Sequence, residues 1–187
     1  MLLLAGADTR VLAALAELLR AHAPVVATGV DTPDAADRAI RAAQDASTPL
    51  EACIVAPARV EAAPLEGLRA STWRHTLDTN LTAAVNVARA VGPALGAAGG
   101  GSLVFVTWHV AGGAGAHRAH EAAVAGAVCM LARACAAEMG TSGVRVNAVT
   151  VPPDALAAAA PAIELLLAPT AAYLTGEVLV PGAAPPR

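Results

Sequence analysis

The chain has 187 residues, of which 56% are hydrophobic and 14% charged, and its net charge is −3. This length fits one domain with a sizeable core. Because the charge is slightly negative and the arginines form no run, the composition lacks the electrostatic signature of a nucleic-acid-binding protein. Aromatic residues make up 2% of the chain, so Ala, Val and Leu must fill the core.

The sequence also argues against secretion and membrane insertion. Its three cysteines lack CxxC spacing, which is typical of buried apolar residues in a reducing cytosol. The apolar N-terminus has no basic segment and reaches Asp8 within ten residues, unlike a signal peptide. The most apolar helix candidate, 122–137, contains Arg133 and is shorter than the roughly 20 residues that span a bilayer. We therefore expect a soluble cytoplasmic protein.

Short apolar runs alternate with segments of helical periodicity along the chain. The predicted strands cover residues 2–5, 25–28, 52–56, 103–107, 144–149 and 177–180. The predicted helices cover residues 11–19, 33–46, 73–95 and 118–139. Strands that are apolar on both faces and alternate with helices predict a parallel sheet covered on both sides. The fold class is therefore α/β, a doubly wound parallel sheet, in a single domain of residues 1–187.

Four stretches match motifs of a known family: W-x-x-x-L-x-x-N-L at 73–81, G-S-L-V-x-V-T at 101–107, V-R-V-N-A-V at 144–149 and Y-L-T-G at 173–176. With these motifs the chain resembles the short-chain dehydrogenase/reductase family over nearly its whole length. The resemblance implies a Rossmann-like fold, an NAD(P) cofactor and a catalytic set of Asn, Ser, Tyr and Lys.

The chain departs from the family at the turn that binds the cofactor pyrophosphate. The resemblance places Gly6, Arg10 and Leu12 at the three glycine positions of that turn. A leucine side chain is expected to lie where the backbone and a phosphate must touch. Arg10 could contact a phosphate, but we expect a surface arginine on the first helical turn. The residual cofactor-binding residues are therefore Gly6 and Arg10.

A second departure is length. The family has two βα units between the first helix and the strand at 52–56, and this chain has room for one, so we predict a sheet one βα unit shorter than usual. The missing region carries the family's adenosine pocket. Asp31 precedes Thr32 and Pro33, a pattern typical of a helix start rather than of a ribose-binding acid. The family's Asn-Asn-Ala-Gly segment is Ala-Pro-Ala-Arg at 56–59.

The catalytic set departs as well. The resemblance places Asn80 at the family's asparagine, Trp108 at its serine, Glu121 at its tyrosine and Ala125 at its lysine. A shift of one residue would place Thr107 at the serine. No shift supplies the lysine, because the chain contains none. In the family the asparagine also supports a kink in its helix, and we expect that structural role for Asn80.

Replacement chemistry could come from a cluster after Thr107 that contains His109, His117, His120 and Glu121. Histidine and glutamate are common general acids and bases, so a cofactor-independent isomerase, dehydratase or cyclase is one interpretation. The other is a solvated loop, because the cluster is polar and follows glycines. A zinc site is not expected, since no cysteine or aspartate ligand lies nearby in the sequence.

The sequence leaves three hypotheses for function. The first is a degenerate family member without the hydride-transfer site and without a cofactor or metal. It would be a non-catalytic subunit that packs helices 73–95 and 118–139 against another copy or an active dehydrogenase. The second is the cofactor-independent enzyme that uses Glu121 and nearby histidines on a small molecule. The third is a divergent NAD(P)-dependent oxidoreductase. None of the three involves nucleic acid or a membrane.

Overall fold

The computed structural model describes residues 1–22, 25–45, 48–108, 116–152 and 154–181. Six parallel strands form one sheet in the order β2-β1-β3-β4-β5-β6. The strands are β1 (Leu2–Gly6), β2 (Val25–Thr28), β3 (Ala52–Ala56), β4 (Gly101–Trp108), β5 (Val144–Val151) and β6 (Val178–Leu179). The helices are α1 (Thr9–Leu18), α2 (Pro33–Gln44), α3 (Ala70–Thr76), α4 (Ala83–Ala97), α5 (Ala119–Met139) and α6 (Ala159–Leu167). This is the predicted Rossmann-like architecture.

Helices cover both faces of the sheet. Helices α2, α4 and α5 pack on one face and α1 and α6 on the other. Strand β1 shows the consequence, because its consecutive residues Leu3 and Leu4 are both fully buried, one in each layer of the core. A parallel sheet buried on both faces requires such continuous apolar strands.

Several boundaries differ from those predicted. The helix expected at 73–95 begins at Ala70 and runs to Ala97, with a π-helical segment at Leu77–Thr82 between α3 and α4. Helix α6 was not predicted, because its sequence is apolar at most positions and lacks an amphipathic period. The helix start predicted at 31–33, with Asp31 or Thr32 as the cap, is confirmed: Thr32 caps α2, with its hydroxyl accepting the Ala35 N–H.

Helix α5 corrects the argument about membranes. It has 21 residues, and the apolar helical stretch that it begins continues to Ser142, which is long enough to cross a bilayer. The prediction that it is too short was therefore wrong. The helix packs against β4 and β5 and buries Val124 and Val128 in the core, and 28% of its apolar window is buried.

The three cysteines are free thiols. Cys53 and Cys135 are buried, as expected, whereas Cys129 is half-buried. Burial raises the pKa of the Cys53 thiol to about 12, so this cysteine is uncharged and unreactive at neutral pH.

The V-R-V-N-A-V motif in β5 fastens the C-terminal segment to the sheet. Asn147 donates from Nδ2 to the carbonyl of Leu174 (3.0 Å), and its Oδ1 accepts the N–H of Glu177 (3.0 Å). Arg145 donates to the carbonyl of Leu166 (2.9 Å) at the end of α6 and to that of Ala171 (3.3 Å). The polar residues of the motif, Arg145 and Asn147, thus have a structural role: they bond backbone groups of the C-terminal segment.

Replacing Asn147 by Ala should lower the free energy of unfolding by about 2–3 kcal/mol, because it leaves the Leu174 carbonyl and the Glu177 N–H without their partner. Urea denaturation measures the change. Asn86→Ala is the matched control: Asn86 is also buried, but its side-chain amide makes one described bond, to the Asp31 carbonyl. A loss in Asn147→Ala no larger than in the control would contradict the anchoring role.

Candidate functional site

The carboxyl ends of β1, β3 and β4 lie at one edge of the sheet, where α1 and α5 begin. Doubly wound folds bind their ligands at this edge. The residues that determine its chemistry come from the turn after β1, the loop after β3, the end of β4 and the first turn of α5.

The amino end of α1 is capped by a carboxylate. Oδ1 of Asp8 accepts the backbone N–H of Arg10 (2.9 Å) and of Val11 (3.3 Å), and Oδ2 accepts that of Arg59 (3.2 Å). Burial by itself would raise the pKa of Asp8. These three hydrogen bonds and the charge of Arg59 outweigh it, so the pKa lies below its ordinary value. A negative charge therefore already occupies the position where a helix terminus would bind a phosphate.

Two of the three glycine-turn positions serve packing, and the third is on the surface. A Cβ added to Gly6 would lie 2.9 Å from the carbonyl oxygen of Ala56, so Gly6 allows β1 and β3 to approach each other. Leu12 is fully buried in the core. The expectation that its side chain lies against a phosphate was wrong, because position 12 faces the sheet. Arg10 is exposed on the first turn of α1, as expected.

Asn80 connects the loop after β3 to the π-helical segment. Its Oδ1 accepts the N–H of Ala58 (2.8 Å), and its Nδ2 donates to the carbonyl of Thr76 (3.2 Å) and to Oγ1 of Thr79 (3.1 Å). The asparagine thus holds the loop at Ala58 against the start of the π-helical segment.

Trp108 closes the space between the ends of β3 and β4. It is 3% exposed and donates from Nε1 to the carbonyl of Ala58 (2.9 Å). The guanidinium of Arg59 lies 5.4 Å from the centre of its ring, a cation–π distance. The cavity lined by Asn80 and the buried Thr107 measures about 10 Å³. That volume holds about one water molecule.

Two residues of the histidine and Glu121 cluster, His120 and Glu121, are buried, whereas His117 is exposed. Both oxygens of Glu121 accept from Nη1 of Arg118, at 2.8 and 2.6 Å, and its side chain is 2% exposed. His120 is fully buried, with Nε2 3.0 Å from the carbonyl oxygen of Glu61. His117 is exposed and has φ of 65°.

The solvated-loop interpretation was therefore wrong for His120 and Glu121, which form the first turn of α5 and face inward. His109 lies outside the described residues. Ala125, at the family's lysine position, follows Glu121 by one helical turn and is half-buried. Within the described part of the chain, no three metal-binding side chains come together.

The sequence analysis did not identify three residues that shape this site: Asp8, Arg118 and Arg59. Asp8 stands just before a helical period, which is an N-cap signal. Arg118 precedes Glu121 by three residues, a spacing that brings helical side chains together. The contact of Arg59 with Trp108 joins residues far apart in the chain and leaves no local signal.

Asp8→Ala should destabilise the protein by about 1 kcal/mol at neutral pH, the usual contribution of a helix N-cap. Because the folded-state pKa is depressed, this stability is present above the unfolded value of 3.8 and is lost as the pH falls through the folded-state pKa. Urea denaturation from pH 7 to pH 3 should therefore show the two proteins converge in acid. Asp8→Asn, which keeps a capping oxygen, should lose less at pH 7. A constant difference across the pH range would contradict the assignment.

Comparisons with known proteins agree with this fold. Residues 2–160 match a family model described as enoyl-(acyl carrier protein) reductase. A short-chain dehydrogenase from Mycobacterium smegmatis is 22% identical, with a TM-score of 0.81 over 99% of this chain and 81% of that one. A short-chain type dehydrogenase/reductase from Mycobacterium ulcerans is 20% identical, with a TM-score of 0.80 over 95% and 78%.

A third solved structure is a gluconate 5-dehydrogenase from Burkholderia cenocepacia in complex with NADP and tartrate. It is 19% identical, with a TM-score of 0.77 over 95% of this chain and 82% of that one. No curated protein sequence matches the chain significantly. The family model covers most of the chain, and the solved structures share its fold. The chain therefore belongs to the short-chain dehydrogenase/reductase family.

Proposed function

We propose that this protein is a non-catalytic member of its family that binds no nicotinamide cofactor and works in the cytoplasm by association with another subunit. The observation that carries the proposal is the filled cofactor edge. The Asp8 carboxylate holds the N–H groups at the start of α1, and the indole of Trp108 fills the space beside β3. The partner is a second copy of the chain or an active member of the family.

The residues at this edge do not fit a nicotinamide dinucleotide. A pyrophosphate would approach the carboxylate of Asp8, whose charge repels it, and would have to displace three hydrogen bonds. The family's tyrosine and lysine positions hold Glu121 and Ala125, and the chain has no lysine to hold a nicotinamide ribose. In this proposal, the chain therefore lacks the residues that the family uses to transfer a hydride.

The cofactor-independent alternative has less support. A general base needs a free lone pair and access to a substrate. Glu121 is buried with both oxygens bound to Arg118, and His120, whose Nδ1 has no described hydrogen-bond partner, is fully buried, so neither side chain has access to a substrate. The divergent oxidoreductase alternative rests on the family alone, one solved neighbour of which was crystallised with NADP.

The association surface lies on α5 and the adjacent face of α4. Five alanines of α5 are partly or fully exposed: Ala122, Ala123, Ala127, Ala134 and Ala137. Met130 of α5 is 58% exposed, and Val85 of α4 is 43% exposed. Alanine side chains let a second helix approach closely, and exposed large apolar residues favour burial by a partner.

Replacing Met130 by Glu should prevent association, because a partner helix would bury the new charge. Light scattering after size exclusion should give a dimer or larger oligomer for the wild-type protein and a monomer for Met130→Glu. The matched control is Leu65→Glu, since Leu65 is 70% exposed and belongs to the short helical turn Leu65–Gly67 rather than to α4 or α5.

If the wild-type chain is a monomer by itself, the same variant pair should be tested after co-expression with a family member encoded beside it. If wild type and Leu65→Glu both co-purify with the partner and Met130→Glu does not, the result supports the heteromeric form. A wild-type chain that is monomeric and retains no such partner contradicts the proposal.

Calorimetric titration of the wild-type protein with NADH and with NADPH should give no saturable heat, because Asp8 repels the pyrophosphate and holds its N–H donors. The gluconate 5-dehydrogenase that was solved with NADP serves as the positive control. Saturable binding of either nucleotide with a dissociation constant near or below about 100 μM would reverse the assignment.

A further inference from the structure

A groove lies at the amino ends of β1, β2 and β3, at the edge of the sheet opposite the filled cofactor edge. It measures about 680 Å³ and is bounded on its other side by the carboxyl end of α6. We call it the amino-edge groove. Its walls include Leu2, Val25, Glu51, Ala52, Glu164 and Leu167. Its volume and its mostly apolar lining are those of a small-molecule site.

The floor of the amino-edge groove is apolar. Leu2 and Ala52 are buried, whereas Val25 is 44% exposed and Leu167, at the end of α6, is half-buried. Apolar surface that remains in contact with water is stabilised when another apolar group covers it. The floor therefore favours the apolar body of a ligand.

The rim of the groove is acidic, with the exposed carboxylates of Glu51 and Glu164. Oε2 of Glu51 accepts from the N-terminal ammonium of Met1 (3.1 Å), which also donates to the carbonyl of Pro49 (2.6 Å). The carboxylate of Glu164 makes no hydrogen bond or ion pair with any described residue. The described lining contains no arginine, and its remaining titratable side chain is that of His22. The unmatched charge of the groove is therefore the negative charge of Glu164.

The walls of the groove are held in place by hydrogen bonds within the protein. On the strand side, the carbonyl of Met1 accepts the N–H of Glu51 (3.0 Å) and that of Ala52 (3.3 Å). On the helix side, the carbonyl of Leu166 accepts from Oγ of Ser102 (3.0 Å) and from Arg145 (2.9 Å). Walls ordered in this way lose little conformational freedom when a ligand binds, which favours a small ligand.

We propose that the amino-edge groove binds an amphiphilic primary amine, with its ammonium at Glu164 and its apolar body over Leu2 and Val25. An ammonium is the charge that complements the groove, because the only cation already present, at Met1, is paired with Glu51. A carboxylate or phosphate would meet two carboxylates and no guanidinium.

This site goes beyond the proposed function and is independent of it. Helix α6 packs on the face of the sheet opposite α4 and α5, and the groove lies at the edge opposite Asp8 and Trp108. Neither the association test nor the nicotinamide titration therefore bears on it.

Three probes of nearly equal size separate charge recognition from apolar contact. Hexylamine carries an ammonium, 1-hexanol replaces it by a hydroxyl, and hexanoate replaces it by a carboxylate. The full ¹⁵N-labelled chain is titrated at low salt and at about pH 7.5, where a histidine side chain is ordinarily neutral. Hexylamine should shift the amide signals of residues 2, 25, 51–52 and 164–168, with a dissociation constant of about 1 mM. 1-Hexanol should bind about threefold more weakly, which corresponds to the loss of one exposed ion pair, and hexanoate at least about tenfold more weakly.

The matched variants are Glu164→Lys and Glu66→Lys. Glu164→Lys should weaken hexylamine about tenfold, leave 1-hexanol unchanged and make hexanoate the tighter of the two charged probes. Glu66 is an exposed glutamate outside the groove, and its variant changes the net charge by the same amount. Glu66→Lys should therefore bind all three probes as wild type does.

Three results would overturn the proposal. One is the absence of localised shifts with hexylamine at about 10 mM, well above the expected dissociation constant. Another is equal affinity of the wild-type protein for the three probes, which would indicate an apolar surface without charge recognition. The third is an equal loss of hexylamine binding in Glu164→Lys and Glu66→Lys, which would indicate attraction to the net charge of the protein.

Discussion

Four side chains from four elements hold the loop that follows β3. Asp8 at the start of α1, Asn80 in the π-helical segment, Trp108 at the end of β4 and His120 in α5 each bond a backbone group between residues 58 and 61. The loop has no regular secondary structure, so these bonds replace the ladder that a strand would provide. These four bonds fix the position of the loop at the carboxyl end of β3.

The arrangement also explains why familiar family residues persist beside altered ones. Asn80, Arg145 and Asn147 satisfy backbone groups of segments distant in the chain. The positions that the resemblance assigns to the family's catalytic serine and tyrosine hold Trp108 and Glu121. In the proposed function, the chain thus keeps the family residues that stabilise the fold and has lost those that the family reaction needs.

The order of strands and helices was predictable because apolar runs and helical periods are local signals. The burial of His120 and Glu121 was not, since a polar cluster after glycines resembles a loop until its partners are known. Arg118 neutralises Glu121 within one helical turn, whereas His120 depends on a carbonyl 59 residues away. Trp108 likewise donates to a carbonyl 50 residues away. Its place at the family's serine position predicted a departure from the catalytic set, but it gave no sign that the indole packs against the loop after β3. Helix α6 escaped prediction because it is apolar on most sides.

The shortened sheet has a consequence for how the molecule meets its neighbours in solution. Without a further βα unit, β2 is the outermost described strand on its side and pairs with β1 alone. An open strand edge can pair with a strand of another molecule and so extend the sheet. Strand β2, however, has only four residues and ends at Gly29, whose φ of 65° turns the backbone out of the strand. Such a short edge gives an incoming strand few hydrogen bonds. The loss of the unit therefore exposes an edge that offers little capacity for fibre-like growth.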